Sequence, residues 1–133
     1  MKTAVLLIDC DLGFVFWLGQ GLDKAGYEAF PAKSIPDALR LIAELHLTVG
    51  LVIVNCALPD TAEFLAALRH KQRLTKIIGL VEEAGIPIHP EVDWQCCKPE
   101  DLDETSKTEL LCQIHCVLAP QALTPEVTRR TIV

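Results

Sequence analysis

The chain has 133 residues, half of them apolar, and a formal net charge of −6. That length suits one domain with a single buried core, and the apolar fraction excludes a disordered chain. The acidic balance excludes a domain that holds nucleic acid by phosphate contacts.

The first strand is predicted at Ala4 to Ile8, a continuous apolar run ending in acids, as in a buried parallel strand. Asp9 and Asp11 interrupt the apolar N-terminus, and no small-residue cleavage pattern follows them. The uncharged stretch from Leu12 to Leu22 is too short to span a membrane. The expectation is a cytoplasmic protein that meets no membrane. Leu12 to Ala25 has helical spacing at Phe14, Leu18 and Leu22, and Gly26 supplies the stop. On that helix Phe16 falls on the polar side with Gln20 and Lys24, while Trp17 borders the core stripe.

Tyr27 to Phe30 reads as a short second strand. Ser34 caps a helix with Pro36 in its first turn, and Ala38, Leu41, Ile42 and Leu45 line one face. Gly50 to Asn55 is a third strand. Asp60 with Glu63 has the spacing of a capping box for a helix through Phe64, Leu65 and Leu68. Lys76 to Val81 is a fourth strand. Gly85, Pro87 and Pro90 argue against a normal helix between Glu82 and Glu91. Val92 to Cys97 is a fifth strand, and Ser106 with Glu109 forms a second capping-box pattern before Leu110, Leu111, Ile114 and Leu118. Residues 1–119 form the expected domain, and residues 120–133 a linker into a further domain or a short tail.

Strands alternating with helices imply a parallel sheet covered on both faces, with its site at the carboxyl ends of the strands. Those ends carry Asp9, Cys10 and Asp11, then Asn55 and Cys56, then Val81, then Lys98.

Taken together, AVLLIDCD followed by a helix ending in AGYEAF, then LVIVNCALP, CCKP and ELLCQIHCVL, resemble the receiver domains of response regulators in bacterial two-component signalling. The resemblance covers residues 3 to 118. It implies an α/β, doubly wound, flavodoxin-like sheet of five parallel strands in the order 2-1-3-4-5. In that family, carboxylates at the first and third strands hold magnesium, and the third-strand aspartate accepts a phosphoryl group. Here Asp9 matches the first acid, Cys10 stands where the second belongs, and Asp11 follows. Asn55 occupies the phosphoacceptor position, and a carboxamide cannot form an acyl phosphate. Val81 replaces the hydroxyl residue of the fourth strand and can donate nothing to a phosphate. The fourth helix is expected to be degenerate.

The resemblance therefore implies an atypical pseudo-receiver with a vestigial phosphorylation pocket at Asp9, Cys10, Asp11, Asn55, Val81 and Lys98. No catalytic residues, metal or cofactor are expected, and no enzyme. Lys98 either pairs with Asp9 or Asp11, or donates to the Asn55 carbonyl. On the other reading, Lys98-Pro99 is a remnant that places its loop through a cis peptide.

The expected function is phosphorylation-independent regulation through a protein partner or self-association, controlling an attached or separate output domain. Phe16 is a candidate contact anchor. Glu82 to Glu104 carries eight acids against one base, Lys98, so Glu100, Asp101, Asp103 and Glu104 are candidates for steering a basic partner. The ordinary alternative is a solvated acidic rim. The basic group Arg69, Lys71, Arg73 and Lys76 reads as cations at a helix C-terminus.

Two other functions use the same scaffold. A thiol-based redox sensor would use Cys10 with Cys56, or Cys112 with Cys116 on one helix face. A metal held by Cys112, His115 and Cys116 is disfavoured, because ligands on one helix cannot converge on a tetrahedral ion. A flavodoxin-like small-ligand binder would want a glycine-rich loop, and DCDLG is not one.

Overall fold

The apolar runs become five parallel strands in a computed structural model that describes residues 2–83 and 89–119. The chain order is β1 (Ala4–Ile8), α1 (Leu12–Lys24), β2 (Glu28–Ala32), α2 (Ile35–Leu45), β3 (Leu51–Asn55), α3 (Thr61–Lys71), β4 (Lys76–Val81), β5 (Trp94–Cys97) and α4 (Glu104–Leu118). The strands form one sheet in the order β2-β1-β3-β4-β5, all pairs parallel. This is the expected doubly wound architecture.

Side chains alternate across a strand, so each central strand feeds two cores. Val5, Leu7, Leu51, Ile53, Ile78 and Leu80 pack beneath α1 and α4, against Phe14, Leu18, Leu22, Leu110 and Ile114. Leu6, Ile8, Val52, Val54 and Ile77 pack on the other side, against Ile35, Ala38, Phe64, Leu65 and Leu68 of α2 and α3. A sheet buried on both faces accounts for the unbroken apolar runs in β1, β3 and β4.

The expected edges of several elements shift. β2 starts one residue later than Tyr27 and runs on through Pro31 to Ala32, because it is an edge strand where a missing N–H costs little. Tyr27 N–H instead donates to the Leu22 carbonyl at 3.0 Å and closes α1, with Gly26 at φ 96° supplying the left-handed turn. β5 begins at Trp94 rather than Val92. Leu45, expected on the apolar face of α2, is exposed.

Two capping expectations fail. Asp60 sits at the start of α3 with φ 68°, and its carboxylate caps nothing; the Thr61 hydroxyl donates to the Leu58 carbonyl at 2.7 Å. The last helix is capped by Asp103, whose Oδ1 accepts the Ser106 N–H at 2.8 Å, so Ser106 lies inside the helix. Ser34 does cap α2, accepting the Asp37 N–H.

Between Val81 and Trp94 the described residues form only bends and turns, and residues 84–88 lie outside them. The expectation of a linker or tail over residues 120–133 also falls outside the described residues. Among the described residues no helix is long and apolar enough to cross a membrane.

Candidate functional site

At the carboxyl ends of β1, β3 and β5 the sheet brings Asp9, Asn55 and Lys98 together. Asp9 is fully buried. Its Oδ1 accepts the Asn55 amide Nδ2–H at 3.3 Å and the Asp11 backbone N–H at 3.1 Å. Its Oδ2 faces the Lys98 ammonium at 2.9 Å and has no well-oriented hydrogen bond among the described residues, so the lysine's charge balances it. Lys98 Nζ also lies 3.6 Å from Asp11 Oδ2 and 4.9 Å from the centre of the Phe14 ring.

Each partner is held from behind. Asp11 caps α1 by accepting the Phe14 N–H at 3.2 Å, which fixes its carboxylate beside the pocket. Asn55 ends β3 and accepts the Ala57 N–H on Oδ1 at 2.9 Å. The carboxamide oxygen is therefore engaged, and only its amide nitrogen is left to face Asp9. Lys98 N–H donates to the Val81 carbonyl at 2.9 Å, extending the β4–β5 ladder by one rung. Burial pulls the Lys98 pKa down, but the close contact and charge of Asp9, followed by Asp11, more than reverse this and the net shift is upward.

Of the two readings of Lys98, the direct contact with Asp9 and Asp11 is the one seen. The ammonium does not use the Asn55 carbonyl, and no peptide bond among the described residues is cis, so the cis Lys98-Pro99 expectation is corrected. Val81 is buried at the end of β4, and Cys10 is exposed.

The magnesium that the receiver resemblance implies does not fit these residues. The ion needs several hard oxygens pointing at one centre. Here one Asp9 oxygen faces an amide N–H and the other an ammonium. Among the described residues no cluster of three His, Cys, Asp or Glu side chains could hold a metal.

The other expected site residues are scattered. Phe16 projects from the outer face of α1, well exposed. Asp103 is a helix cap, and the backbone N–H of Ser106 holds its carboxyl below the usual range. Glu104 pairs with Lys107 at 3.2 Å, so two of the four proposed acidic contact residues already have partners. Glu100 and Asp101 are exposed. Of the cysteines a redox sensor would use, burial raises the Cys56 thiol, against the thiolate such a sensor needs, while Cys10, Cys112 and Cys116 are exposed.

Two features escaped sequence reasoning. A cleft of about 420 Å³ opens beside Asn55, lined by Cys56, Leu80, Val81, Glu82, Glu83 and His89 among others. Arg69 is no simple helix-end cation. Its guanidinium donates to the carbonyls of Arg73, Thr75 and Glu91 and to Asp93 Oδ2, tying α3 to the start of β5.

No family model and no curated protein matches the chain. Solved structures do. The signal receiver domain of an HD domain-containing protein from Pseudomonas fluorescens is 26% identical, with TM-score 0.71 over 88% of this chain and 87% of that one. A CheY-like receiver domain protein from Methanospirillum hungatei is 22% identical, with TM-score 0.73 over 89% and 94%. The response regulator TrrA from Thermotoga maritima, solved with Mg2+-BeF, is 24% identical, with TM-score 0.68 over 89% and 100%. With its five parallel strands in the order β2-β1-β3-β4-β5 and its polar cluster at their carboxyl ends, this chain has the fold of response-regulator receiver domains.

Proposed function

We propose that the chain is a receiver-like signalling module that works without phosphorylation, through contact with a protein partner or another copy of itself, and is not an enzyme. One observation carries the reading: both oxygens of Asp9 are engaged by the protein's own donors, Asn55 Nδ2 at 3.3 Å and Lys98 Nζ at 2.9 Å. A working acceptor pocket needs a nucleophilic carboxylate where Asn55 stands and a cation site where Lys98 and the Asn55 amide close on Asp9. The asparagine supplies by hydrogen bonding what an ion would supply by charge, so the pocket is complete in a single state. Val81 supports the same reading, since it cannot follow a phosphate by hydrogen bonding.

The test is exposure to acetyl phosphate with magnesium, and to beryllofluoride with magnesium. No mass increase and no change in the amide spectrum around Asn55 are expected. Asn55→Asp is expected to remain unphosphorylated and to melt at lower temperature, because it sets a second carboxylate against buried Asp9. A magnesium-dependent gain of one phosphate on the natural chain sinks the reading.

A further inference from the structure

We propose that the outer face of α1, together with the edge strand β2, is a self-association surface on which a second copy of this chain packs antiparallel about a twofold axis. The inference deepens the reading above, in which surface contact carries the function.

Two exposed apolar side chains, Leu12 at 52% and Phe16 at 61%, stand one helical turn apart on α1. Beside them runs a groove formed by two adjoining hollows. One, of about 290 Å³, is lined by Phe16, Gly19, Asp23 and Pro31 among others. The second, of about 270 Å³, shares Phe16 and Pro31 and ends at Leu12 and Lys33.

Gly19 is the unusual residue. Glycine inside a helix weakens it, so its presence calls for a neighbour that needs the room. Gly21 has such a neighbour: a Cβ there would meet Lys107 Cδ of α4 at 2.9 Å. A Cβ at Gly19 would meet nothing within 4 Å. No packing inside the described structure accounts for that gap, and it opens on the groove, three residues from Phe16. An aromatic knob and a notch lie on one helix face.

A knob and a notch on the same surface are what a twofold contact requires, since each copy must offer both halves. An antiparallel crossing that sets Phe16 against Gly19 of the second copy also sets Leu12 against its Asp23. Lys33 shares a hollow with Leu12, so the same crossing brings Lys33 to Asp23 of the other copy, twice over. Both residues are exposed and have no ion pair among the described residues, whereas nearby Asp37 is already bound to Arg40 at 3.2 Å. Shape and charge thus select one register. Pro31 sits on the free edge of β2 and removes a ladder donor, which favours packing of side chains over addition of a strand.

The test is sedimentation equilibrium of the full chain from about 1 μM to about 1 mM, the range in which a modest interface of this kind dissociates. A monomer–dimer equilibrium is expected. Phe16→Ala should weaken it at least about thirtyfold. Gly19→Leu should raise the melting temperature by improving the helix while abolishing the dimer, a combination that damage to the fold cannot mimic. Asp23→Lys and Lys33→Asp should each weaken association, and the doubly exchanged chain should recover it to within about threefold. A monomer across the whole range, or a dimer unmoved by Phe16→Ala and Gly19→Leu, overturns the proposal. Running each arm with and without acetyl phosphate and magnesium separates the two readings. A dimer that forms only with the donor refutes phosphate independence and leaves the surface standing; a monomer indifferent to the donor does the reverse.

Discussion

The parallel sheet is pinned at both ends by an ion pair, and the two pairs are built on different principles. At the carboxyl ends, Lys98 neutralises a fully buried Asp9. At the amino ends, Arg69 meets Asp93 at 2.9 Å with side chains 27% and 38% exposed. The lysine acts as a point charge on a carboxylate buried within the fold. The arginine acts through geometry: its planar fork reaches the carbonyls of Arg73, Thr75 and Glu91, and Asp93 passes the contact on by accepting the Ile77 N–H at 2.8 Å. In ordinary sheets of this kind the carboxyl end is where ligands act. Here the charges at that end hold one another, and any ligand that competed for Asp9 would have to break the fold's own contact. That difference favours the groove proposed along α1, over the pocket, as the place to look for a partner contact.

The largest effect should come from Lys98→Ala. It takes the countercharge from an Asp9 carboxylate that is fully buried in the natural chain, at a cost of about 3 kcal/mol or more. Urea unfolding should show a lower midpoint with an unchanged slope. Replacing both partners by apolar residues, Asp9→Leu with Lys98→Met, should recover only part of the loss, because the Asn55 amide and the Asp11 N–H lose their acceptor. The pair also has a pH signature. Its upward shift from the ordinary lysine value of 10.5 means that its stabilisation is fully present below pH 10.5. It is lost as pH rises through the raised folded value. The natural chain should therefore lose stability in strongly alkaline solution, and Lys98→Ala should lack that limb. A deficit below about 1 kcal/mol would mean that Asp9 is hydrated when Lys98 is removed.

The two pairs also differ in how far the sequence announced them. Asp9 lies at the end of an unbroken apolar run, the mark of a strand buried on both faces, and Lys98 follows the edge strand β5, where the Lys-Pro pair marks the strand's end. Once the strand order is known, their meeting follows. Asp93 and Arg69 are 24 residues apart, and nothing local in either segment marks them as partners. A cation in the last turn of a helix reads as a helix-end charge and nothing more. Cap positions are ambiguous in the sequence for a similar reason. Several polar residues near Glu104 and Thr61 could begin a helix, and packing of Leu110 and Ile114, or of Phe64 and Leu65, decides which one does. Edge strand β2 ran past its expected end because an edge tolerates Pro31, which pattern alone treats as a stop.

Arg69→Ala should come next in size. It removes four side-chain hydrogen bonds, leaving three carbonyls to find water at a partly open site, for a loss of about 2 kcal/mol. The damage should be local as well as global, with faster amide exchange at Ile77 and Asp93, whose N–H groups lie beside the clamp. Arg69→Lys should rescue little, because one ammonium cannot serve three carbonyls and the Asp93 carboxylate at once. Full rescue by lysine would show that the amino-end pair works by charge after all, and the contrast between the two ends would collapse.

The smallest effect, Asp93→Asn, tests the contrast most directly. Asparagine keeps an oxygen that can accept the Ile77 N–H and leaves the Arg69 fork its three carbonyls, so only the charge is removed. For a pair as exposed as this one the charge contributes about 0.5 kcal/mol. That deficit should shrink toward zero in about 1 M salt, where screening acts over roughly 3 Å. Salt should leave the Lys98→Ala deficit in place, because its origin is a carboxylate, fully buried in the natural chain, that has lost its cation. Unfolding both variants at low and high salt therefore gives four numbers and one comparison. If the two deficits fade together, Asp9 is as accessible to ions as Asp93 is. The pocket would then be open, and a ligand or metal at the carboxyl ends of the strands would return as the working site of the protein.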